Sequence, residues 1–295
     1  MKKILRVVLL TWIMIMLTAC GEIEIIFEDN PPIHNQEETI SLTEIPEYSD
    51  EPFVTINNNM PGFTEEDYTE ESYEYFSELD SFGRCGVVIA NVGQDIMPTE
   101  DRESIGQVKP SGWQTAKYDN VDGKYLYNRC HLIGFQLTGE NANEKNLITG
   151  TRYMNVDGML PFENMVADYV KETGNHVLYR VTPIYDGDNL LASGVQIEAW
   201  SVEDNGDGIC FNVYVYNIQP GIDIDYATGK SWLAAEGENA SGKKMTYILN
   251  TNNKKFHTEE CSSVKNIKSE NKEEFKGTRV EVLKMGYEPC GNCTP

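Results

Sequence analysis

Basic residues are scarce in this sequence. Lys and Arg number 24 against 47 Asp and Glu, so the formal net charge is -23, and residues 22–80 hold 18 acids and no base. This balance excludes a protein with a broad basic face for polyanions, so any contact with nucleic acid must be local or assisted by a metal ion. After the first 21 residues, which hold three bases and no acid, only residues 241–295 reverse the balance, with 10 bases against 7 acids.

A long apolar run is also missing at the N-terminus. Val7–Leu17 is interrupted by Thr11 and is shorter than the roughly 20 residues of a membrane span. Three basic residues precede it and Leu17-Thr18-Ala19-Cys20-Gly21 follows it. This pattern is typical of a secretory signal, and it resembles the bacterial lipoprotein signal, in which the cysteine is lipidated. We therefore expect a lipoprotein signal at 1–20 and a lipid on Cys20. The lipid would hold the protein on the extracellular face of the cell membrane. The alternative is an ordinary cleaved signal and a secreted protein.

The rest of the chain divides by composition. Residues 21–50 are acidic and contain Pro31-Pro32, so they are predicted to be a disordered spacer that holds the folded part away from the membrane. Residues 51–235 have ordinary globular character and are predicted to form the main domain. Residues 241–295 are predicted to form a small separate module.

The main domain is predicted to be α+β with an antiparallel sheet. Strand-like runs cover 85–92, 177–185, 195–202 and 210–218, and in the last run alternate residues divide between two faces. A helix is predicted over 162–173, where Met165, Val166 and Tyr169 have helical spacing.

Histidine is rare as well, with four in the chain. His131 lies in the segment Tyr127–Gly134, with Asn146 and Asn155 placed 15 and 24 positions later and Glu163 a further 8 positions on. Taken alone, a histidine near asparagines is more often structural than catalytic. His176, at the entry to a predicted strand, is predicted to be structural.

At these residues the chain resembles a known family. Asn128-Arg129-Cys130-His131 resembles the Asp-Arg-Gly-His signature of the DNA/RNA non-specific endonucleases, which are ββα-metal or His-Me finger nucleases. Lys145-Asn146-Leu147, Arg152–Asn155 and Phe162-Glu163-Asn164 are similar to the later family elements in order and spacing. The resemblance covers roughly residues 75–230 and is nearest to secreted DNases and DNA-entry nucleases of Gram-positive bacteria.

The resemblance implies a role for each matching residue. His131 would be the general base that takes a proton from water. Asn155 would bind one Mg²⁺, or Mn²⁺, through its amide oxygen, and Glu163 would hold waters of the metal shell. Asn146 would orient the loop or His131 itself.

The resemblance also implies the substrate. DNA, with RNA as an open alternative, would be hydrolysed without strong sequence preference if contacts fall on the backbone. Arg129 would support the phosphate or the fold. Arg102 and Arg180 are candidate substrate contacts, although Arg180 could instead pair with a buried acid.

Two positions depart from the signature. This chain has Asn128 where the signature has Asp, and Cys130 where the signature has Gly. These two differences put the metal affinity and the orientation of the histidine in question. If they abolish catalysis, the chain would be a silent surface adaptor that binds nucleic acid through its C-terminal module. A thiol hydrolase using Cys130 and His131 is disfavoured, because adjacent residues of an extended segment point to opposite faces. A disulfide among Cys85, Cys130 and Cys210 stays open.

The C-terminal module contains a metal-ligand pattern. His257 and Cys261 are followed by the Cys290-Gly291-Asn292-Cys293 knuckle, a set that suits tetrahedral Zn²⁺. The alternative is one disulfide and a free thiol. The module resembles the metal-binding fold of Ada-type DNA repair proteins, which implies a structural zinc. No protein partner is inferred.

Overall fold

The computed structural model describes residues 40–234 and 244–293. The signal with Cys20 and most of the acidic spacer lie outside the described residues, as does the predicted boundary at residues 235–241. Among the helices that are described, none has the length and apolar character needed to cross a membrane.

Residues 40–234 contain ten strands, two α-helices and a wider helical turn at Met154–Met159. In chain order the strands and α-helices are β1 Phe53–Thr55, β2 Tyr73–Phe76, β3 Val88–Val92, β4 Tyr127–His131, α1 Phe135–Thr138, β5 Leu147–Thr151, α2 Leu160–Thr173, β6 Val177–Ile184, β7 Gly194–Ser201, β8 Cys210–Tyr216, β9 Ile222–Ile224 and β10 Ser231–Leu233.

The main sheet is antiparallel and has six strands in the order β1-β8-β7-β6-β3-β2. β4 and β5 form a separate antiparallel pair, and α2 follows them. The predicted α+β class is therefore confirmed. The four predicted strands correspond to β3, β6, β7 and β8.

β8 divides its side chains between two layers, as its alternation predicts. Phe211, Val213 and Val215 belong to the main core together with the buried side of α2. Tyr214 and Tyr216 face the opposite side of the sheet, where they form a smaller cluster.

The end of the predicted spacer covers that smaller cluster. Leu42, Ile45 and Tyr48 pack against it, and the Tyr216 hydroxyl donates to the Pro46 carbonyl at 2.7 Å. The prediction of disorder through residue 50 was therefore wrong for residues 40–48. The reason is that these scattered apolar side chains bury an exposed sheet face, which acidic composition does not reveal.

α2 presents a narrower apolar stripe than predicted. Phe162, Val166 and Val170 are buried at a spacing of four, whereas Met165 is 48% exposed. The helix ends as predicted at Gly174, which adopts φ 76°, a left-handed conformation that glycine tolerates.

Residues 244–293 form a second, smaller sheet of order β13-β11-β12-β14. Its elements are β11 Met245–Asn250, β12 Lys255–Thr258, β13 Lys272–Gly277, α3 Arg279–Lys284 and β14 Glu288–Pro289. Lys230 joins this module to the main domain, since its Nζ lies 2.6 Å from a Glu288 carboxylate oxygen, and Arg279 pairs with Asp223.

Candidate active site

β4, the turn that follows β5, and α2 line one open cavity of about 790 Å³, here named the His131 cavity. His131 is the last residue of β4 and pairs with Leu147 of β5. Six residues of the signature or the candidate site line the cavity: Arg102, Asn128, Arg129, His131, Asn155 and Glu163. Residues up to 61 positions apart thus reach a single site, because the hairpin, the wider turn and α2 meet there.

The hydrogen bonds of His131 fix the roles of its two ring nitrogens. Nε2 lies 2.8 Å from the carbonyl oxygen of Asn141, which can only accept, so Nε2 carries the proton. Nδ1 lies 3.2 Å from Nη2 of Arg102, which can only donate, so Nδ1 is unprotonated and accepts this hydrogen bond through its lone pair. The side chain is therefore a neutral imidazole whose basic nitrogen belongs to the cavity.

Burial and charge keep His131 neutral. The residue is 5% exposed, and this burial lowers its pKa below the ordinary value of 6.5. The Arg102 guanidinium acts in the same direction, while the bond to Asn141 opposes both. At neutral pH Nδ1 is therefore unprotonated, and its lone pair accepts the hydrogen bond from Arg102.

Asn146 holds the backbone just beyond His131. Its side chain is fully buried, accepting from the Ile133 N–H at 2.9 Å and donating to the Ile133 carbonyl at 3.0 Å. This pair of bonds fixes the chain two residues after the histidine. Asn146 is thus located behind the His131 cavity and acts on the loop.

Glu163 lies in the first turn of α2, against Gly134. A Cβ added at Gly134 would lie 2.5 Å from Oε2 of Glu163, so only glycine leaves room for this carboxylate. Burial raises the pKa of Glu163 to about 7, although the Gln136 amide and Arg102 act against that rise. A cation in the cavity would favour the ionised form.

Asn155 is part of the wider turn Met154–Met159 that connects β5 to α2. The Tyr153 N–H donates to Gln219 at 3.1 Å, and Arg152 pairs with Asp122 at 2.8 Å. These contacts fix the segment from which the Asn155 side chain reaches the His131 cavity. Asn155 and Glu163 together offer it two oxygen donors, the kind of ligand that Mg²⁺ prefers.

Arg129 serves the fold as well as the cavity. Its guanidinium donates to the Val108 carbonyl at 2.5 Å and to the Gly106 carbonyl at 2.8 Å, and it lies 4.0 Å from the centroid of the Trp113 ring. These contacts hold the loop that follows Arg102 against β4.

Arg180 does not reach the His131 cavity, so the expectation of a substrate contact was wrong for this residue. It lies on β6, and its Nε donates to Glu198 on the adjacent β7 at 2.7 Å. Side-chain exposures of 11% and 4% make this a buried pair. The open alternative of pairing with a buried acid therefore applies. His176 is likewise a structural residue, because its Nδ1 lies 2.7 Å from a Glu203 oxygen.

Cys130 occupies the core behind the cavity. A Cβ at Gly150, on the paired strand, would lie 2.4 Å from the Cys130 sulfur, so the missing side chain at Gly150 makes room for the thiol. Complete burial raises the pKa of Cys130 far above its ordinary value, which leaves it unreactive. In the described chain Cys85, Cys130 and Cys210 are free thiols, so the open disulfide among them is not formed.

Sequence reasoning missed several cavity residues. Lys109 and Arg152 add to Arg102 and Arg129, so the cavity has four cationic side chains against the single carboxyl of Glu163. Trp113 and Tyr125 also line it. The Lys109-Pro110-Ser111-Gly112-Trp113 run was a possible signal, because it combines a cation and an aromatic in a turn.

A second group of side chains converges in the C-terminal module. The ligating atoms of His257, Cys261, Cys290 and Cys293, here named the C-terminal cluster, all lie within 4.8 Å of one another. Nδ1 of His257 lies 3.5 Å from the Cys261 sulfur. One borderline nitrogen and three sulfurs fit the donor set of a structural Zn²⁺ site.

Comparisons with known proteins agree with this geometry. Residues 64–203 match the family model for the DNA/RNA non-specific endonuclease. A curated deoxyribonuclease from Streptococcus dysgalactiae subsp. equisimilis is 34% identical over 111 residues, which are 36% of this chain and 32% of the relative. The match thus spans about a third of that relative's length.

Two crystal structures of NucA from Streptococcus agalactiae are also similar. The form with magnesium ion bound is 27% identical with a TM-score of 0.54, covering 61% of this chain and 85% of NucA. The form with no metal bound is 26% identical with a TM-score of 0.56, covering 65% and 92%. The family match ends at residue 203, so the Ada-type resemblance of the module stays a prediction. Residues 64–203, which carry His131, Asn155 and Glu163, are therefore similar to the DNA/RNA non-specific endonuclease family.

Proposed function

We propose that this chain is a metal-dependent endonuclease that hydrolyses phosphodiester bonds of DNA without strong sequence preference, with RNA as a second candidate substrate. The observation that carries the proposal is the orientation of His131. Its Nε2 donates to the Asn141 carbonyl, and its Nδ1 lone pair belongs to a cavity that contains four cationic side chains.

His131 is proposed to act as the general base. Nδ1 would take a proton from the attacking water, and the Nε2 bond to Asn141 would stabilise the imidazolium that forms. As the phosphate arrives, the Arg102 guanidinium would move from Nδ1 to a phosphate oxygen, which frees the lone pair. Lys109 and Arg152 would provide further contacts to the phosphate.

Asn155 and Glu163 are proposed to hold Mg²⁺ or Mn²⁺. Their oxygens are hard donors, the space beside Gly134 admits the Glu163 carboxylate, and the cavity is large enough for the waters that Mg²⁺ retains. A bound Mg²⁺ would supply positive charge that offsets the charge developing on the scissile phosphate and the leaving oxygen. The related NucA has a form with a magnesium ion bound, which supports this choice of metal.

The charge distribution supports non-specific and modest binding. Net charge is -23, so long-range attraction to DNA is weak and the cationic side chains of the His131 cavity must supply the contact. Cationic side chains that contact phosphates do not distinguish one base from another.

The C-terminal cluster is proposed to hold a structural Zn²⁺. Four ligands would close the coordination shell, so no position is left for substrate, and the ion would stabilise the module rather than act in catalysis.

The chain is proposed to work on the extracellular face of the membrane, anchored through a lipid on Cys20. The segment Leu17-Thr18-Ala19-Cys20 supports this. Growing cells with an alkyne-tagged fatty acid tests it. Label is expected on the wild-type chain and not on Cys20→Ala. An unlabelled wild type found in the medium would favour the secreted alternative.

Plasmid digestion tests the catalytic proposal. Wild type should cut supercoiled DNA in Mg²⁺, and both EDTA and His131→Ala should abolish cutting. A wild type that leaves DNA and RNA intact in Mg²⁺ but binds them would instead support the surface adaptor.

A further inference from the structure

One aromatic ring that lines the His131 cavity is exposed and is not part of a hydrophobic cluster among the residues that the structure describes. Tyr125 lines the cavity and is 49% exposed, whereas Tyr127, two residues later, is 4% exposed and donates its hydroxyl to the Gly229 carbonyl. Leu160, another exposed apolar side chain, also lines the cavity. The cavity thus offers apolar surface beside its cations.

The Tyr125 ring is held in place by a short hairpin. Lys117 and Tyr125 pair across it, and the Tyr118 N–H donates to the Lys124 carbonyl at 2.9 Å. Lys117 Nζ lies 4.3 Å from the centroid of the Tyr125 ring. The ammonium covers one face of the ring, and the backbone pairing keeps both side chains together.

Arg129 and Trp113, which both line the cavity, form another contact between a cation and a ring. Alternating cations and aromatic rings are the pattern of grooves for single-stranded nucleic acid, in which the cations follow phosphates and the rings stack on bases. Every base has a π-face, so such stacking adds affinity without sequence preference.

We propose that Tyr125, backed by Lys117, is a stacking subsite for a nucleobase next to the scissile phosphate. This inference rests on the proposed nuclease function and adds the substrate class. In a continuous duplex both faces of each base are covered by neighbouring base pairs. The preferred substrate is therefore single-stranded or locally unpaired nucleic acid.

Binding measurements in a His131→Ala background test the subsite without cleavage. Fluorescence anisotropy in Mg²⁺ would compare the full chain with and without Tyr125→Ala on two labelled single strands. One strand has ordinary bases, and the other has abasic sugars at its centre. Tyr125→Ala should weaken binding of the ordinary strand by about 5- to 100-fold and leave binding of the abasic strand unchanged.

Two further variants separate stacking from structural damage. Tyr125→Phe keeps the ring and should bind the ordinary strand as tightly as the parent. Phe82→Ala removes another exposed ring with a cation over it, Arg84 at 4.9 Å, that is outside the cavity lining, and it should have no effect. Equal weakening on ordinary and abasic strands, or none on either, would overturn the subsite.

Cleavage by the chain that retains His131 distinguishes the two proposals. If it cuts both strands and Tyr125→Ala slows the cutting of each equally, the nuclease stands and the subsite is overturned. If it cuts neither but binds the ordinary strand through Tyr125, the nuclease proposal fails and the subsite stands.

Discussion

The His131 cavity and the C-terminal cluster both contain a buried histidine, and they use it differently. His131 and His257 are 5% and 4% exposed. Nδ1 of His131 meets a guanidinium at the edge of an open cavity, whereas Nδ1 of His257 meets the Cys261 sulfur within a compact group of thiols. The comparison teaches that burial alone does not assign a role to a histidine; the partners of its two nitrogens do.

The largest expected effect is on the C-terminal cluster, which is proposed to bind zinc, whereas the His131 cavity is proposed to bind Mg²⁺. Cys290→Ser should remove bound zinc and unfold the module, because structural zinc contributes on the order of 10 kcal/mol in small metal domains. Atomic absorption and limited proteolysis between residues 244 and 293 measure both. Cys210→Ser, outside the cluster, is the matched control and should retain the zinc. Purified wild type without zinc would contradict the assignment of the cluster.

The next largest effect concerns the oxygen donors of the cavity. Gly134→Ala should displace the Glu163 carboxylate, since the new Cβ would lie 2.5 Å from Oε2. A displacement of this size costs about 10²-fold in kcat/KM, while the melting temperature should change little because the carboxyl end is free to swing aside. In a Glu163→Ala background the same substitution should cost nothing more. Additive losses in the double variant would show that Gly134 acts elsewhere.

The acid limb of the pH profile should report the charge of Arg102. Burial and Arg102 lower the pKa of His131, so in wild type the base itself should become protonated only as pH falls through that lowered pKa. Arg102→Gln removes the cation, so the pKa of His131 should rise. Glu163, whose pKa burial raises to about 7, should move in the same direction. The acid limb of kcat/KM should therefore shift to higher pH. An unmoved limb with a lower plateau would mean that Arg102 contacts only the substrate.

The smallest effect is expected at the residue beside the base. Cys130→Ala should lower the free energy of unfolding by about 1 kcal/mol, because it removes a sulfur packed into the core over Gly150. Cleavage in Mg²⁺ should be unchanged, since the thiol is fully buried. Denaturation curves of both variants show whether each is folded. If folded Cys130→Ala loses as much activity as His131→Ala, Cys130 takes part in the mechanism.

The sequence predicts the sheet and α2 better than it predicts the pair of strands that supports His131. β6, β7 and β8 are recognisable because they are long and β-branched. β4 is five residues of mixed polarity, and its pairing with β5 depends on contacts 16 or more positions away.

The candidate site shows the same division. His131, Asn155 and Glu163 are indicated by the resemblance to the endonuclease signature, and the three residues line one cavity. The assignment of Arg180 failed because its partner Glu198 is on a neighbouring strand. The proton position on His131 depends on the Asn141 carbonyl, a backbone group that no sequence pattern encodes.

Chemical rescue tests the central claim most directly, namely that Nδ1 of His131 is the base. His131→Gly should be nearly inactive on plasmid DNA in Mg²⁺, by about 10²- to 10⁴-fold. Added imidazole should restore cleavage in proportion to the concentration of its neutral form, and it should not restore Asn155→Ala. Failure of imidazole to restore His131→Gly, or equal restoration of both variants, would contradict the assignment of His131 as the base.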